Sequence, residues 1–127
     1  MNIDWLSNDK TSAVTIYSNN ITLSKQAANF FEDSYGVAVG IDRETKNIII
    51  KNYNKEEYEK EFKDNSNLHK IEFKTSCGRI NSKSLVEKIC KILSLDFNTN
   101  VSYKFDAKWN TGYKMLVVST NGVMKNV

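Results

Sequence analysis

No proline occurs anywhere in the 127 residues, and glycine (5), cysteine (2), arginine (Arg43 and Arg79) and histidine (His69 alone) are all scarce. Each scarcity removes a class of chemistry. Cys77, Cys90 and His69 fall short of the four Cys or His ligands of a tetrahedral structural zinc site, so no metal is expected. Cys90 stands among apolar helix positions, where a reduced cysteine behaves as a small hydrophobe. The glycines, at 36, 40, 78, 112 and 122, are scattered singly and form no phosphate-cradling loop. Nucleophilic catalysis by Ser or Cys needs a nearby base, and the one histidine opens a polar strand. Glu56, Glu57, Glu59 and Glu61 interleave with lysines in the manner of exposed intrahelical pairs, not of a two-carboxylate active site. The expectation is a non-enzyme with no catalytic residues and no cofactor.

Long apolar runs are also missing: none approaches the ~20 residues of a membrane span. Met1-Asn2-Ile3-Asp4-Trp5 has neither the basic start nor the apolar stretch of a signal peptide. A cytoplasmic protein with no membrane partner is expected. What is present suits one folded domain: 40% hydrophobic residues can build a core, and a net charge of +3 is far from a disordered polyelectrolyte. Asn and Lys occur 16 times each, the bias of an AT-rich genome, which suggests bacterial, phage or plasmid origin. Charge is uneven along the chain. Residues 1–50 hold four basic and six acidic side chains, 51–74 six of each, and 75–127 eight basic against three acidic. A basic surface of this kind meets phosphate or stays solvated.

Read for periodicity, the chain contains one order of elements twice. Residues 13–17 alternate in polarity as a strand, Asn19-Asn20 mark a turn, and Ile21-Thr22-Leu23 is extended. Ser24 is a natural N-cap for a short helix with Ala27, Phe30 and Phe31 on one side, ending near Asp33. Val37, Val39 and Ile41 alternate, 42–47 is a polar connection, and Ile48-Ile49-Ile50 completes a hairpin. In the second half, Ile71 and Phe73 alternate, Cys77-Gly78 suggest a turn, and Ile80 precedes a helix from about Leu85 to Leu93 with Ser84 and Glu87 as a capping box. Val101, Tyr103 and Phe105, a loop from Asp106 to Gly112, and Met115-Leu116-Val117-Val118 form the second hairpin. Equivalent landmarks lie 57, 59, 64 and 67 residues apart (Val14 to Ile71, Ile21 to Ile80, Asp42 to Asp106, Ile48 to Met115).

The fold class expected is therefore α+β: two repeated strand-helix-hairpin units, 12–53 and 69–119, packed as one domain with antiparallel sheet. Residues 54–68 read as a solvated helical connector capped by Asn54 and Glu57, with only Tyr58 and Phe62 as an apolar pair and a loop at 64–67. Residues 120–127 read as a frayed tail. The expected core is Val14, Ile16, Leu23, Phe31, Val39, Ile41, Ile49, Ile71, Phe73, Leu85, Ile89, Leu93, Tyr103, Phe105, Leu116 and Val118.

The string Ile21-Thr22-Leu23-Ser24-Lys25-Gln26-Ala27-Ala28, with its following hairpin to Lys51, resembles the DNA-binding domain of the AbrB and SpoVT family of bacterial transition-state regulators, as does Gly78-Arg79-Ile80 ahead of the second helix. The family pattern is a Gly-Arg pair, a short extended stretch, a short helix, and a hairpin whose strands swap with a partner. Two copies in one chain resemble the MraZ-type arrangement, over about 35 residues of each half. The resemblance implies transcription regulation through double-stranded DNA.

Candidate contacts follow from charge. Arg79 stands just before a helix start, where backbone N–H groups favour an anion. Lys83 and Lys88 lie on or beside that helix, and Lys104 and Lys108 on the next hairpin, so the five are expected to form one basic face. The stretch from Tyr103 to Lys114 interleaves aromatics with lysines, which suits base stacking or, through Trp109 and Tyr113, a protein interface. The leading expectation is a small DNA-binding regulator using the basic second unit. The alternative is a non-enzymatic protein-binding accessory module of phage or plasmid origin that occupies a host protein through the Trp109 hairpin. A homodimer is compatible with either.

Overall fold

The computed structural model describes residues 1–3, 12–62, 67–96, 102–120 and 124–126. Asp4 and Trp5, Asp64 to Ser66 of the expected connector loop, Val101, and residues 121–123 and 127 of the tail lie outside them. Strands dominate: β1 (Ala13–Ile16), β2 (Ile21–Ser24), β3 (Gly36–Ile41), β4 (Ile48–Tyr53), β5 (Glu72–Phe73), β6 (Cys77–Ile80), β7 (Ser102–Asn110), β8 (Met115–Val118) and β9 (Met124–Asn126). Among the described residues three helices punctuate them: α1 (Lys25–Asn29), α2 (Lys55–Glu61) and α3 (Lys83–Leu93).

The strands form one antiparallel sheet in the order β3-β4-β8-β7-β1-β2-β6-β5, with β9 beside β7. The sheet turns on β7. Its first half pairs with β1 from Tyr103↔Ile16 to Asp106↔Ala13, and its second half pairs with β8 from Ala107↔Val118 to Asn110↔Met115. The sheet also curls until its two ends meet, because Val37 of β3 and His69, three residues before β5, exchange both backbone hydrogen bonds at 2.9 Å. Across the ring at Ser12, the Ala107 N–H donates to the Ser12 carbonyl at 3.1 Å.

Alternation sets the faces. Val14, Ile16, Ile21, Leu23, Ile48, Ile50, Ile80, Tyr103, Phe105, Leu116 and Val118 point inward and are buried, joined by Ala27, Ala28 and Phe31 from α1 and its C-terminal turn and by Val86 and Ile89 from α3. Ser24 caps α1 and ties it to β1, its Oγ accepting from Ala27 N–H at 3.4 Å and Ala13 N–H at 3.0 Å. Gly78 faces inward on β6 where α1 crosses closest. The polar connection 42–47 is a tight turn held by Asp42 and Asn47, with Lys46 in the left-handed region (φ 64°). Lys114 closes the β7–β8 turn in the same conformation (φ 53°).

Several expectations are corrected. Cys77 and Gly78 lie within β6, and the turn is made by the residues before them, with Lys74 N–H donating to the Cys77 carbonyl at 2.8 Å. The N-cap of α3 is Ser82, whose hydroxyl accepts from Leu85 N–H, so the helix begins at Lys83 and Ser84 caps nothing. The stretch from Asp106 to Asn110 continues β7 as strand, and the turn occupies 111–114. Within the expected tail, 124–126 add β9. Ile48 and Ile50, not Ile49, enter the core, since Ile50 pairs with Val39 and Leu116. Phe73 ends a two-residue edge strand and is 48% exposed; Val39, Ile41, Ile71, Leu85 and Leu93 are partly buried around the core.

The connector helix α2 has the expected capping box between Asn54 and Glu57 but is not merely solvated. Tyr58 is 1% exposed, packed with Tyr53, Phe62 and Tyr35, so α2 docks on the outward side of β4. Burial and the hydrogen bond to Glu61 push the Tyr53 hydroxyl pKa upward.

Candidate nucleic-acid interface

With Val14, Leu23, Gly78 and Phe105 facing the core, the residues between them face out. Pairing aligns them in one row across five strands: Glu72 beside Arg79, Arg79 beside Thr22, Thr22 beside Thr15, and Thr15 beside Lys104. Arg79 and Lys104 are thus three strand intervals apart, about 14 Å at the usual spacing. Two threonines fill the space between. Their hydroxyls keep the middle of the row polar without charge, and the Thr22 hydroxyl donates to Asn20 Oδ1 at 2.7 Å.

A carboxylate ends the row, which charge counting along the chain did not foresee. Glu72 holds Lys74 at 2.6 Å and accepts from Asn81 Nδ2 at 2.9 Å. Its pKa is lowered, first by the Lys74 hydrogen bond and charge and, more weakly, by Asn81 and the nearby Arg79. Arg79 itself is half-buried, with an Nε that is shielded from solvent and has no hydrogen-bond partner among the described residues. The alternation of Glu72 and Phe73 was the available sequence signal, since it fixes Glu72 opposite Arg79 once the turn is set at 74–77.

The five expected cations do not form one compact face. Arg79 and Lys104 share the outward row, and Lys83 lies just past the end of β6 as the first residue of α3, exposed. Lys88 is five residues further, about 140° around the helix, and approaches His69. Burial first, and the Lys88 charge second, lower the His69 pKa. Lys108 has passed the bend of β7 and pairs with Val117, with Asp106 between it and Lys104 on the same face.

The aromatic-lysine hairpin is also divided. Trp109 stacks on Phe30 (4.8 Å between centroids, planes 4° apart) and meets Phe31 edge-on at 5.4 Å, so it seals the core margin instead of standing out as an anchor. Tyr113, at the turn, is 68% exposed. Beyond the row of threonines, a groove of about 410 Å³ lies along β3 and β4, lined by Val39, Gly40, Ile49, Lys51 and Phe62 among others. Cys77 and Cys90 are both free thiols, and burial raises the Cys90 pKa. Among the described residues no three His, Cys, Asp or Glu side chains gather in a metal-binding arrangement, and no helix is long and apolar enough to cross a membrane. Comparison with protein-family models, with curated proteins and with solved structures gives no match to this chain.

Proposed function

We propose that this protein is a small cytoplasmic DNA-binding regulator of bacterial or mobile-element origin, built from two copies of one strand-strand-helix-hairpin unit and related to the AbrB and SpoVT pattern. The observation that carries the reading is the exchange of hairpins. The β3–β4 hairpin of the first half pairs with β8 and His69 of the second, while the β7–β8 hairpin of the second half pairs with β1 of the first. An exchange made within one chain supports the resemblance, whose pattern has a hairpin that swaps strands with a partner.

Register supports the duplication. Thr15↔Thr22 and Ile16↔Ile21 become Glu72↔Arg79 and Phe73↔Gly78 when 57 is added to each position. The same shift takes the turn bond Tyr17 N–H to Asn20 carbonyl onto Lys74 N–H to Cys77 carbonyl. It also takes Ser12, acceptor for Ala107, onto His69, acceptor for Val37. Serines cap the helix that follows in each half, and a left-handed lysine closes each hairpin turn. Support for DNA as the partner is the outward row with Arg79 and Lys104, rimmed by Lys83.

The test is fluorescence anisotropy with a labelled duplex over a range of salt. Binding should weaken steeply as salt rises, and the Arg79→Ala, Lys83→Ala double variant should flatten the slope of log affinity on log salt by about 1.8, at roughly 0.9 per phosphate contact. No binding at low salt, or a double variant that binds like the parent, overturns the regulator reading. A second reading, a host-protein-binding accessory module, is favoured by the exposed Tyr113 and the groove beside Phe62. Its signature is capture of a protein by an interaction that barely responds to salt.

A further inference from the structure

The 57-residue shift places a pseudo-twofold axis through the Thr22–Arg79 pair, because 22 becomes 79 and the pair maps onto itself. Along the outward row the two flanks of this axis are chemically unlike. On one side run Thr22, Thr15 and Lys104. On the other run Arg79 and Glu72, followed by the counterpart of Lys104. The hydrogen bonds Ala107 to Ser12 and Val37 to His69 fix that counterpart, since they relate β7 to β3 by 70 residues and so relate Lys104 to Ser34. A hydroxyl on one flank thus corresponds to a carboxylate on the other, and a lysine to a serine.

We infer that duplex DNA meets this face on one flank only, the β1–β7 flank of Thr15, Thr22 and Lys104 with Arg79 at its border, so that one molecule binds a site lacking twofold symmetry. The inference rests on the DNA-binding reading above. A backbone laid symmetrically across the axis would meet cations already engaged on the second flank: Lys74 paired with Glu72 and, beside Ser34, Lys70 held on the Tyr35 carbonyl and over its ring. Laid on one flank, it meets two cations about 14 Å apart, three strand intervals, with two neutral threonines and no carboxylate between them. Glu72, held by Lys74 and Asn81, marks the border of the contact.

Two exposed positions on opposite flanks test this without touching the core: Lys104→Ala and Lys70→Ala. The probe is a random-sequence labelled duplex of about 20 base pairs, two helical turns, titrated over a range of salt. One-sided docking predicts a slope reduced by about 0.9 for Lys104→Ala, and a slope unchanged from the parent for Lys70→Ala. A slope reduced by about 0.9 in Lys70→Ala shows that the second flank also reaches phosphate and overturns the one-sided inference while leaving DNA binding intact. An unchanged slope in Lys104→Ala overturns the choice of flank. A parent that binds no duplex at low salt overturns the DNA-binding reading itself, and this inference with it.

Discussion

At Gly78 a methyl group would stand 2.8 Å from Ile71 Cγ2 and 2.9 Å from Ala28 Cβ, both closer than packed carbons approach. The absence of a side chain is what lets α1 lie directly on β6. Gly40 is the opposite case: a methyl group there meets nothing within 4 Å. Gly78→Ala should therefore destabilise the protein by about 1–3 kcal/mol through overpacking. Gly40→Ala should be neutral or stabilise by up to about 1 kcal/mol through the unfolded chain. Urea denaturation of the two variants checks both, and equal effects would show that α1 does not press on β6 as described. At this scale the sequence was legible where alternation was clean, as at Val14, Ile16, Tyr103 and Phe105. Three isoleucines in a row at 48–50 carry no period of two, so only the pairing with Val39 and Leu116 decides which of them turn inward. Phe73 looks like core by type, but β5 is too short to cover it.

Among the elements, α3 illustrates how a helix start is chosen. Ser82 and Ser84 are both good caps, and Ser84 with Glu87 even offers the spacing of a capping box. Ser82 wins because its backbone is extended (φ −153°, ψ 101°) directly after β6, which allows Lys83 to begin the first turn and Val86 and Ile89 to reach the core. Ser82→Ala should cost about 0.5–2 kcal/mol, while Ser84→Ala, on the exposed first turn, should stay within about 0.5 kcal/mol. Thermal or chemical denaturation that ranks them the other way would return the cap to Ser84. At α1 and α2 the caps Ser24 and Asn54 were legible, as was the 42–47 turn. The length of β7 was not. Its outward residues Lys104, Asp106 and Lys108 are polar, and a strand solvated on one face reads like a loop when its inward partners include a residue as small as Ala107. That extension past Asp106 removes Lys108 from the Arg79 row, so the error in the element became an error in the site.

For the molecule as a whole, closure of the sheet among the described residues rests on the bridge at the seam between β3 and His69. His69 is partly buried there, and burial and Lys88 together depress its pKa below the usual histidine value. The folded protein takes up a proton at His69 only at lower pH than the unfolded chain, which does so near pH 6.5. Its contribution is thus complete above about pH 6.5 and is lost as pH falls from there through the lower folded-state value. Glu57, held by the Asn54 N–H, and Glu72, held by Lys74, have depressed values too, so theirs is lost only below the usual carboxylate value of 4.5. Urea midpoints should begin to fall just below pH 6.5, and His69→Gln should delay the fall to the carboxylate range. A variant that declines with pH as the parent does would remove His69 from the account. The mixed α and β class with antiparallel sheet was legible from periodicity, but the predominance of strand and the ring closure were not, since no local pattern specifies which strand lies beside which. The exchanged hairpins have a consequence for synthesis on the ribosome. When Tyr53 is made, β4 has β3 but not β8, its other neighbour, which ends at Val118. At roughly 5–20 residues per second the hairpin waits about 3–13 s with one strand edge unpaired, so this sheet is completed only once Val118 has been translated.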